Sequence, residues 1–497
     1  MLLPLSAFAI NLISDDLLLL ASILVFFAIM TTKIGTRFGV PSLLLFLLLG
    51  MAVGADGLGV QFQDYEMAES IGHFAMTVIL FTGGLETSLS ETKPILKQGI
   101  LLSTLGVFLT CLLTGGFIYL VAGEAVGALG SSILGCLLIA TIMASTDSAS
   151  VFGLLHGKRL HLRHDLGPML ELESGSNDPM AYILTIILVA AFSHIGQGES
   201  SSLIALSSVL VFLIQMVIGF GVGFGAGKLT VWIIKKVKLP GTSLYSILIL
   251  SSAFFASGLA SVIKGNGLLA LYVAAIIIGN EAPIPGKKDV LKFFDGMTWL
   301  MQLLMFLMLG LLARPSQMPH MLVPALLIGL FMIFVSRPLS VFACLLPFRK
   351  LPFKAKLLTS WVGLKGAGPI LFALYPVVKE VEGASDIFNL VFLITMLSLL
   401  IQGMTLMPVA RWLGLSYEED PPVEAFGLEL PEEMGMLRDH TVTEEDLQNG
   451  KTVRAFSFPH GIRLLMVKRG EQFLVPHGSM ELFPGDHLMI IIGDTDD

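Results

Sequence analysis

The sequence predicts an all-α polytopic membrane protein of about thirteen transmembrane helices, followed by a small cytoplasmic α+β domain. Three observations carry that expectation. The 497 residues have a mean hydropathy of +0.83, with 54% hydrophobic and 14% charged, a balance that excludes a soluble globular protein. Apolar stretches of about 20 residues, the length that crosses a hydrocarbon core, recur to about residue 411. Past that point the charge balance inverts. Up to Arg411 there are 24 Lys and Arg against 21 Asp and Glu; from Trp412 onward there are 6 against 17.

The apolar runs lie near 17–32, 38–55, 68–85, 98–122, 130–154, 166–194, 202–232, 243–263, 266–280, 290–313, 320–347, 355–376 and 387–411. They divide the chain into a membrane domain, 1–411, a linker, 412–427, around Glu418-Glu-Asp-Pro-Pro422, and a soluble module, 428–497. The start, Met-Leu-Leu-Pro-Leu-Ser, has no basic stretch of the kind that opens a signal peptide, so it is read as the mature terminus although Ala7-Phe-Ala9 mimics a cleavage site. With the N-terminus outside, the inner loops and span ends hold 19 of the 24 basic residues and the outer side three, Lys264, Arg314 and Lys379. Thirteen spans then place the acidic tail in the cytoplasm. Cys111, Cys136 and Cys344 fall inside apolar runs at no metal-ligand spacing and read as small buried hydrophobes.

Taken in order, the first three spans are plain apolar helices except for Thr82-Gly-Gly-Leu-Glu86. Glu86 reads either as a solvated helix end or as part of a cation path. In the fifth span, Ser145, Thr146, Ser148 and Ser150 surround one acid, Asp147. So many hydroxyls compete with helical hydrogen bonding, which predicts a break at Thr146-Asp147.

The sixth span opens on Glu171-Leu-Glu-Ser-Gly-Ser-Asn-Asp-Pro-Met180. Asp178 lies about two turns inside the helix, where a charge costs about 2.5–3.5 kcal/mol on insertion scales and is seldom kept without a use. Pro179 removes a helical donor and frees the Gly175 carbonyl. That carbonyl, the Asp178 carboxylate and the Ser174 and Ser176 hydroxyls are hard oxygen donors, suited to a small dehydrated cation.

Gly221-Val-Gly-Phe-Gly-Ala226 matches a loose dinucleotide fingerprint, but it lies mid-span with no strand before it, so packing through small residues is the better reading. The eleventh span carries Arg337-Pro338, an intramembrane guanidinium suited to a carboxylate, with Glu173 the expected partner. The twelfth span reads Gly363-Leu-Lys-Gly-Ala-Gly-Pro369, a second interrupted helix with Lys365 at the break. An offset of seven spans makes the two broken segments enter from opposite sides. That is the pattern of inverted repeats whose broken helices cross at the midplane. Asp147 and Lys365 are expected to offset the half-helix dipoles there.

Trp232, Trp299, Trp361 and Trp412 read as interfacial anchors. In the tail, Thr441-Val-Thr-Glu444 fits a capping box opening a short helix. Val453–Phe458, Ile462–Val467, Phe473–Val475 and His487–Ile492 read as strands separated by Pro-His-Gly, Lys-Arg-Gly and Pro-Gly-Asp turns.

Over about residues 15–411 these motifs resemble the NhaP-like branch of the monovalent cation:proton antiporters, the branch that includes the animal sodium/proton exchangers. The resemblance rests on Thr146-Asp147, on Glu173-Ser174-x-x-Asn177-Asp178, on Arg337 and on the Gly-Leu-Lys-Gly-Ala run at 363–367. It implies that Asp178 carries proton and cation in turn, with Ser174 and the Thr146 backbone as further ligands. It implies that Asn177 marks the electroneutral subgroup and that Glu173 and Arg337 form a structural ion pair. It also implies a core bundle of spans 4–6 and 11–13, a scaffold of spans 1–3 and 7–10, and a homodimer in a bacterial inner membrane. Many relatives follow the broken-helix Asp with Pro or an apolar residue, where this chain has Ser148. The tail, Gly450-Lys-Thr-Val to Gly493-Asp, resembles the TrkA-C regulatory module, which implies a nucleotide or cyclic dinucleotide as its ligand.

The expected activity is therefore exchange of protons for potassium, with sodium as the alternative ion, and neither an enzymatic reaction nor a cofactor nor nucleic acid. The TrkA-C-like module tilts the choice toward potassium. Two rival classes are a regulated cation channel, which needs no buried titratable acid between broken helices, and an anion or amino-acid symporter. A symporter of that kind could use Arg337 and Lys365, but the acids outnumber them.

Overall fold

The computed structural model describes residues 15–122, 126, 128–147, 150–152, 160–196, 201–418, 437–444, 446, 447, 450–456, 462–470 and 472–492. Among them are eight helices long and apolar enough to cross a membrane and five shorter apolar ones, thirteen in all, at the thirteen apolar runs. The chain forms two compact units, Met1–Tyr417 and Glu418–Asp497.

The helices are α1 (Asp15–Phe38), α2 (Ser42–Val53), α3 (Tyr65–Glu86), α4 (Leu89–Val121), α5 (Ile133–Ile142), α6 (Leu166–Gly196), α7 (Ser201–Lys236), α8 (Thr242–Val262), α9 (Gly267–Glu281), α10 (Lys287–Leu312), α11 (Pro319–Leu345), α12 (Phe353–Trp361), α13 (Ala367–Val378) and α14 (Ala384–Trp412). Side chains cap several of them. Asp64 accepts from the Met67 amide at α3, Ser132 from Gly135 at α5 and Asn266 from Leu269 at α9, each satisfying a backbone donor left over at a helix start.

Small residues let helices touch through their backbones. A Cβ at Gly223 of α7 would overlap the Ala270 carbonyl of α9, and one at Gly50 of α2 would lie 2.9 Å from the Gly310 Cα of α10. The glycine run of the seventh span is thus packing surface on one side, through Gly223 and Ala226, while Gly221 and Gly225 face open space.

Two spans are broken. α5 stops at Ile142 and helix resumes by Ser150, so the break falls at Thr146-Asp147; Ser148 lies outside the described residues. The twelfth span unwinds between Trp361 and Ala367. Three neighbouring helices contain wide π-type turns, at Leu102–Gly106 in α4, Met332–Ser336 in α11 and Leu399–Gly403 in α14. α4 and α11 are also joined by hydroxyls, Thr114 to Ser336 at 2.9 Å and Thr110 to Ser340 at 3.1 Å.

A short two-stranded sheet that the sequence did not suggest pairs β1 (Leu160–Leu162) with β2 (Ser416–Glu418). The second unit is a four-stranded antiparallel sheet in the order β3-β6-β4-β5, with β3 Leu437–Thr441, β4 Ile462–Arg469, β5 Gln472–Leu474 and β6 His487–Ile492. Val442, Val467, Leu482 and Leu488 form its core.

Two expectations for the tail need correction. Thr441 ends strand β3 instead of opening a helix, and the local cap is made by Asp446, which accepts from the Thr443 amide at 2.8 Å. Val453–Phe456 is a turn following the isolated Thr452–Glu481 bridge, because the Val453 amide bonds to Met480 and the Ala455 and Phe456 amides fold back onto Thr452; residues 457 and 458 lie outside the described residues.

Candidate functional site

The two breaks meet. The Asp147 amide donates to the Leu364 carbonyl at 2.9 Å, backbone to backbone across the unwound segments. A Cβ at Gly366 would overlap the Asp147 carboxylate, so only glycine permits this approach. Lys365, 6% exposed, turns its Nζ to the Ser145 carbonyl at 2.8 Å and the Ala144 carbonyl at 3.4 Å, the acceptors left over where α5 ends. Asp147 serves the opposite end of the same break: its Oδ1 accepts from the Ser150 amide at 2.9 Å. Anion at the amide end and cation at the carbonyl end is the arrangement that half-helix dipoles favour.

α6 crosses this junction unbroken despite Pro179, whose carbonyl accepts from Asn266 Nδ2 at 3.1 Å. Its inward face places Ser174, Asn177 and Asp178 against the break. The Ser174 hydroxyl donates to the Thr146 carbonyl at 2.6 Å. Asn177 Nδ2 donates to Thr146 Oγ1 at 2.6 Å. The Ser145 hydroxyl donates to Asp178 Oδ1. Of the four hydroxyls expected around Asp147, then, Ser150 stays with it, Ser145 and Thr146 turn to α6, and Ser148 is not among the described residues. The second hydroxyl expected at Asp178, Ser176, is replaced by Ser145.

Glu173 sits one turn before Asn177 on the same helix and meets Arg337 Nη1 at 2.5 Å, both side chains buried. Arg337 also reaches the Val362 carbonyl at 3.5 Å, at the start of the unwound segment. The expected pair is therefore formed.

Asp178 opens onto a cavity of about 430 Å³ between the carboxyl end of α3 and the amino halves of α6 and α10. Asp147 and Ser174 share its floor with Asp178, and Glu86, Glu171 and Asp295 stand on its walls. Glu86 therefore faces the same space as Asp178. Sequence reading missed Tyr272, Asp295 and Gln302, which also line the cavity; an acid and an amide inside an amphipathic tenth span were the available signal. Trp299 lines it too yet stays 47% exposed, as Trp232 and Trp412 are exposed, whereas Trp361 is half-buried and donates to the Thr405 hydroxyl at 3.1 Å.

On the other side of Asp178 the path is filled. Tyr182, one turn further along α6, packs edge-on against His73 of α3 at 4.9 Å and Tyr375 of α13 at 6.4 Å, and tilted against Phe372 of α13 at 5.4 Å, between ring centroids. A Cβ at Gly72 of α3 would overlap Leu371, so α3 and α13 are pressed together at the same level.

Crossed broken helices around a buried carboxylate, reached by a cavity from one side and shut by aromatic rings on the other, define an ion-transporting membrane protein of the inverted-repeat class. The sequence profile described as "Sodium/hydrogen exchanger, transmembrane" matches residues 22–412, and the chain belongs to that family. As such it is a multi-pass cation:proton antiporter and not an enzyme. It is 37% identical over 464 residues to a protein of Alkalimonas amylolytica named K(+)/H(+) antiporter NhaP, covering 93% of this chain and 75% of that one. It is 35% identical over 480 residues to K(+)/H(+) antiporter NhaP2 of Shewanella oneidensis, covering 96% and 81%. Among solved structures, the sodium proton antiporter MjNhaP1 of Methanocaldococcus jannaschii superposes with a TM-score of 0.67 at 24% identity, over 79% of this chain and 97% of that one.

Proposed function

We propose that the protein exchanges protons for potassium, with sodium as the second candidate, at the Asp178 carboxylate. The observation that carries this reading is the position of Asp178: it lines the cavity and accepts from the Ser145 hydroxyl, while among the described residues the Tyr182 ring cluster fills the space beyond it. A carboxylate there can hold a proton or a cation. Neutralised either way it can pass through a low-dielectric barrier, which bare it cannot. The Thr146 carbonyl and the Ser145 and Ser174 hydroxyls are the further hard ligands a cation would take. Asn177 adds no second titrating group, so the exchange is electroneutral. Potassium is favoured because the K(+)/H(+) antiporters named above align over nearly the whole chain, tail included.

Alternating access follows if the bundle of spans 4–6 and 11–13 moves against the scaffold of spans 1–3 and 7–10. The excess of basic residues in the loops at that end supports a cavity mouth on the cytoplasmic side of an inner membrane; on this reading the state is inward-open and Tyr182 belongs to the outer closure. The protein works as a homodimer through scaffold spans. We infer further that residues 428–497, after the linker 412–427, form a cytoplasmic TrkA-C-like regulator whose ligand class is a nucleotide or cyclic dinucleotide.

In proteoliposomes, an outward or inward potassium gradient should drive opposite proton movement, and Asp178→Asn should abolish it. Retained exchange in that variant removes the assignment. A larger response to sodium than to potassium reverses the ion preference and leaves the rest standing.

A further inference from the structure

The peptide unit between Leu364 and Lys365 is held from both faces. Its carbonyl accepts from the Asp147 amide at 2.9 Å, and its N–H donates to Ser398 Oγ of α14 at 2.9 Å. The Ser398 hydroxyl in turn donates to Gln402 Oε1 at 2.6 Å, and Gln402 Nε2 donates to the Trp361 carbonyl at 2.9 Å. Ser398 is 0% and Gln402 2% exposed. Two side chains of one helix thus tie the last carbonyl of α12 to the middle of the unwound segment.

Such a tie has a physical cause. An unwound segment at membrane depth has lost its own backbone partners and must find others within the protein. Here α14 supplies them, from the wide turn Leu399–Gly403 that contains Gln402. An amide in the run Leu-Ile-Gln-Gly-Met is otherwise out of place in so apolar a helix. A cavity of only about 10 Å³ lies beside these groups, lined by Arg337, Lys365, Ser398 and Gln402, so the segment has little room to settle elsewhere.

The consequence reaches the ion site through Lys365 and Asp147. Where the Leu364–Lys365 peptide stands fixes the Asp147 amide directly and, through Lys365 Nζ, the Ser145 carbonyl. Ser145 and Thr146 carry the hydroxyl and the carbonyl that face Asp178 and Ser174.

We propose that Ser398 and Gln402 are positioning residues of the cation site: neither lines its cavity, and together they set the placement of Ser145 and Thr146 relative to Asp178. This rests on the reading of Asp178 as the exchange site. The test measures proton movement against cation concentration in proteoliposomes of the full chain carrying Ser398→Ala, Gln402→Leu or Ser398→Thr. Loss of one buried hydrogen bond in the tie should raise the apparent KM for the cation by about tenfold, with the maximal rate within about twofold of wild type. Ser398→Thr, which keeps the hydroxyl, should hold the wild-type KM. Amide hydrogen exchange of residues 362–366 should quicken in the first two variants and not in the third. Equal falls in maximal rate with KM unchanged would mean general structural damage and overturn the proposal. So would an unchanged KM in both Ser398→Ala and Gln402→Leu. Wild-type vesicles that move no protons with any cation would overturn the antiport reading as well, which separates the two failures.

Discussion

Asn177 grips Thr146 by two of its atoms: its Nδ2 donates to the threonine hydroxyl at 2.6 Å, and its Oδ1 lies 3.5 Å from the threonine amide. A neutral side chain therefore completes the backbone hydrogen bonding of the fifth-span break, one residue before the carboxylate that faces the cavity. Helix α6 is stitched to the break by this residue and by Ser174, whose hydroxyl holds the Thr146 carbonyl at 2.6 Å.

On the proposed assignment of Asp178 as the one exchanging group, the neutrality of Asn177 would set the charge moved per cycle at one proton against one monovalent cation. The initial rate in proteoliposomes should not change when a potential of either sign is imposed with a potassium-independent clamp. A rate that rises steadily with the imposed potential would show a second charge moving and contradict the single-carboxylate scheme.

Glu173 and Arg337 should behave as a unit. Removing one partner of a buried pair leaves an uncompensated charge, a loss of about 3–5 kcal/mol, whereas removing both is far milder. Glu173→Gln and Arg337→Leu should each lower the yield of folded protein and its melting temperature in detergent. The double variant should recover much of that loss. If it is as unstable as the worse single variant, the pair is not the reason for their burial.

Tyr182 should govern access from the outer side. Replacing it by alanine removes the ring that meets His73, Phe372 and Tyr375 above the carboxylate. The three native cysteines are buried, so a probe cysteine has little background. In Met76→Cys, whose position lines the cavity beside Asp178, a membrane-impermeant thiol reagent applied from outside should react slowly. In Met76→Cys/Tyr182→Ala it should react several times faster. No acceleration would place the outer closure elsewhere.

What the sequence made legible was whatever depends on local composition. Thirteen apolar runs, two Gly- and Ser-rich interruptions and intramembrane charges are visible without coordinates, because lipid punishes each departure from an apolar helix. Partner choice was partly legible: Glu173 and Arg337 could be matched because each needs an opposite charge. The hydroxyls could not. Ser145, Ser150 and Ser176 are alike in sequence, and only the crossing of α6 over the break decides that Ser145 serves Asp178. The cavity wall was hidden for the same reason, since Tyr272 and Asp295 join Glu86 only when α9 and α10 pack on α3. In the tail, β4, β5 and β6 coincide with short apolar runs bounded by turn residues, but β3 carries Arg438, Asp439 and His440 and has no strand signal of its own. It is a strand because β6 offers it an edge.

Among the described residues of the tail unit, Asp486 is a buried charge whose behaviour on acidification follows from its contacts. Asp486 is 2% exposed in its side chain. Burial alone would push its carboxyl up, but the Arg469 guanidinium, bonded at 2.8 and 2.7 Å, and the Phe483 amide at 2.9 Å together hold it below the ordinary carboxylate value. Arg469 also stacks over Phe483 at 4.4 Å and donates to the Glu481 carbonyl, so the pair closes the turn between β5 and β6 onto the end of β4. A carboxyl lowered in the folded state adds stability that is fully present above its unfolded value, about 3.9, and is lost as pH falls through the folded one. In the full-length protein, hydrogen-exchange protection of residues 462–492 should therefore hold from neutral pH down to about pH 4 and decline below it. Asp486→Asn should reduce that protection already at pH 7, by about 1–3 kcal/mol, and should flatten the decline at acid pH. Parallel acid profiles in wild type and variant would mean that some other group controls the acid stability of this unit.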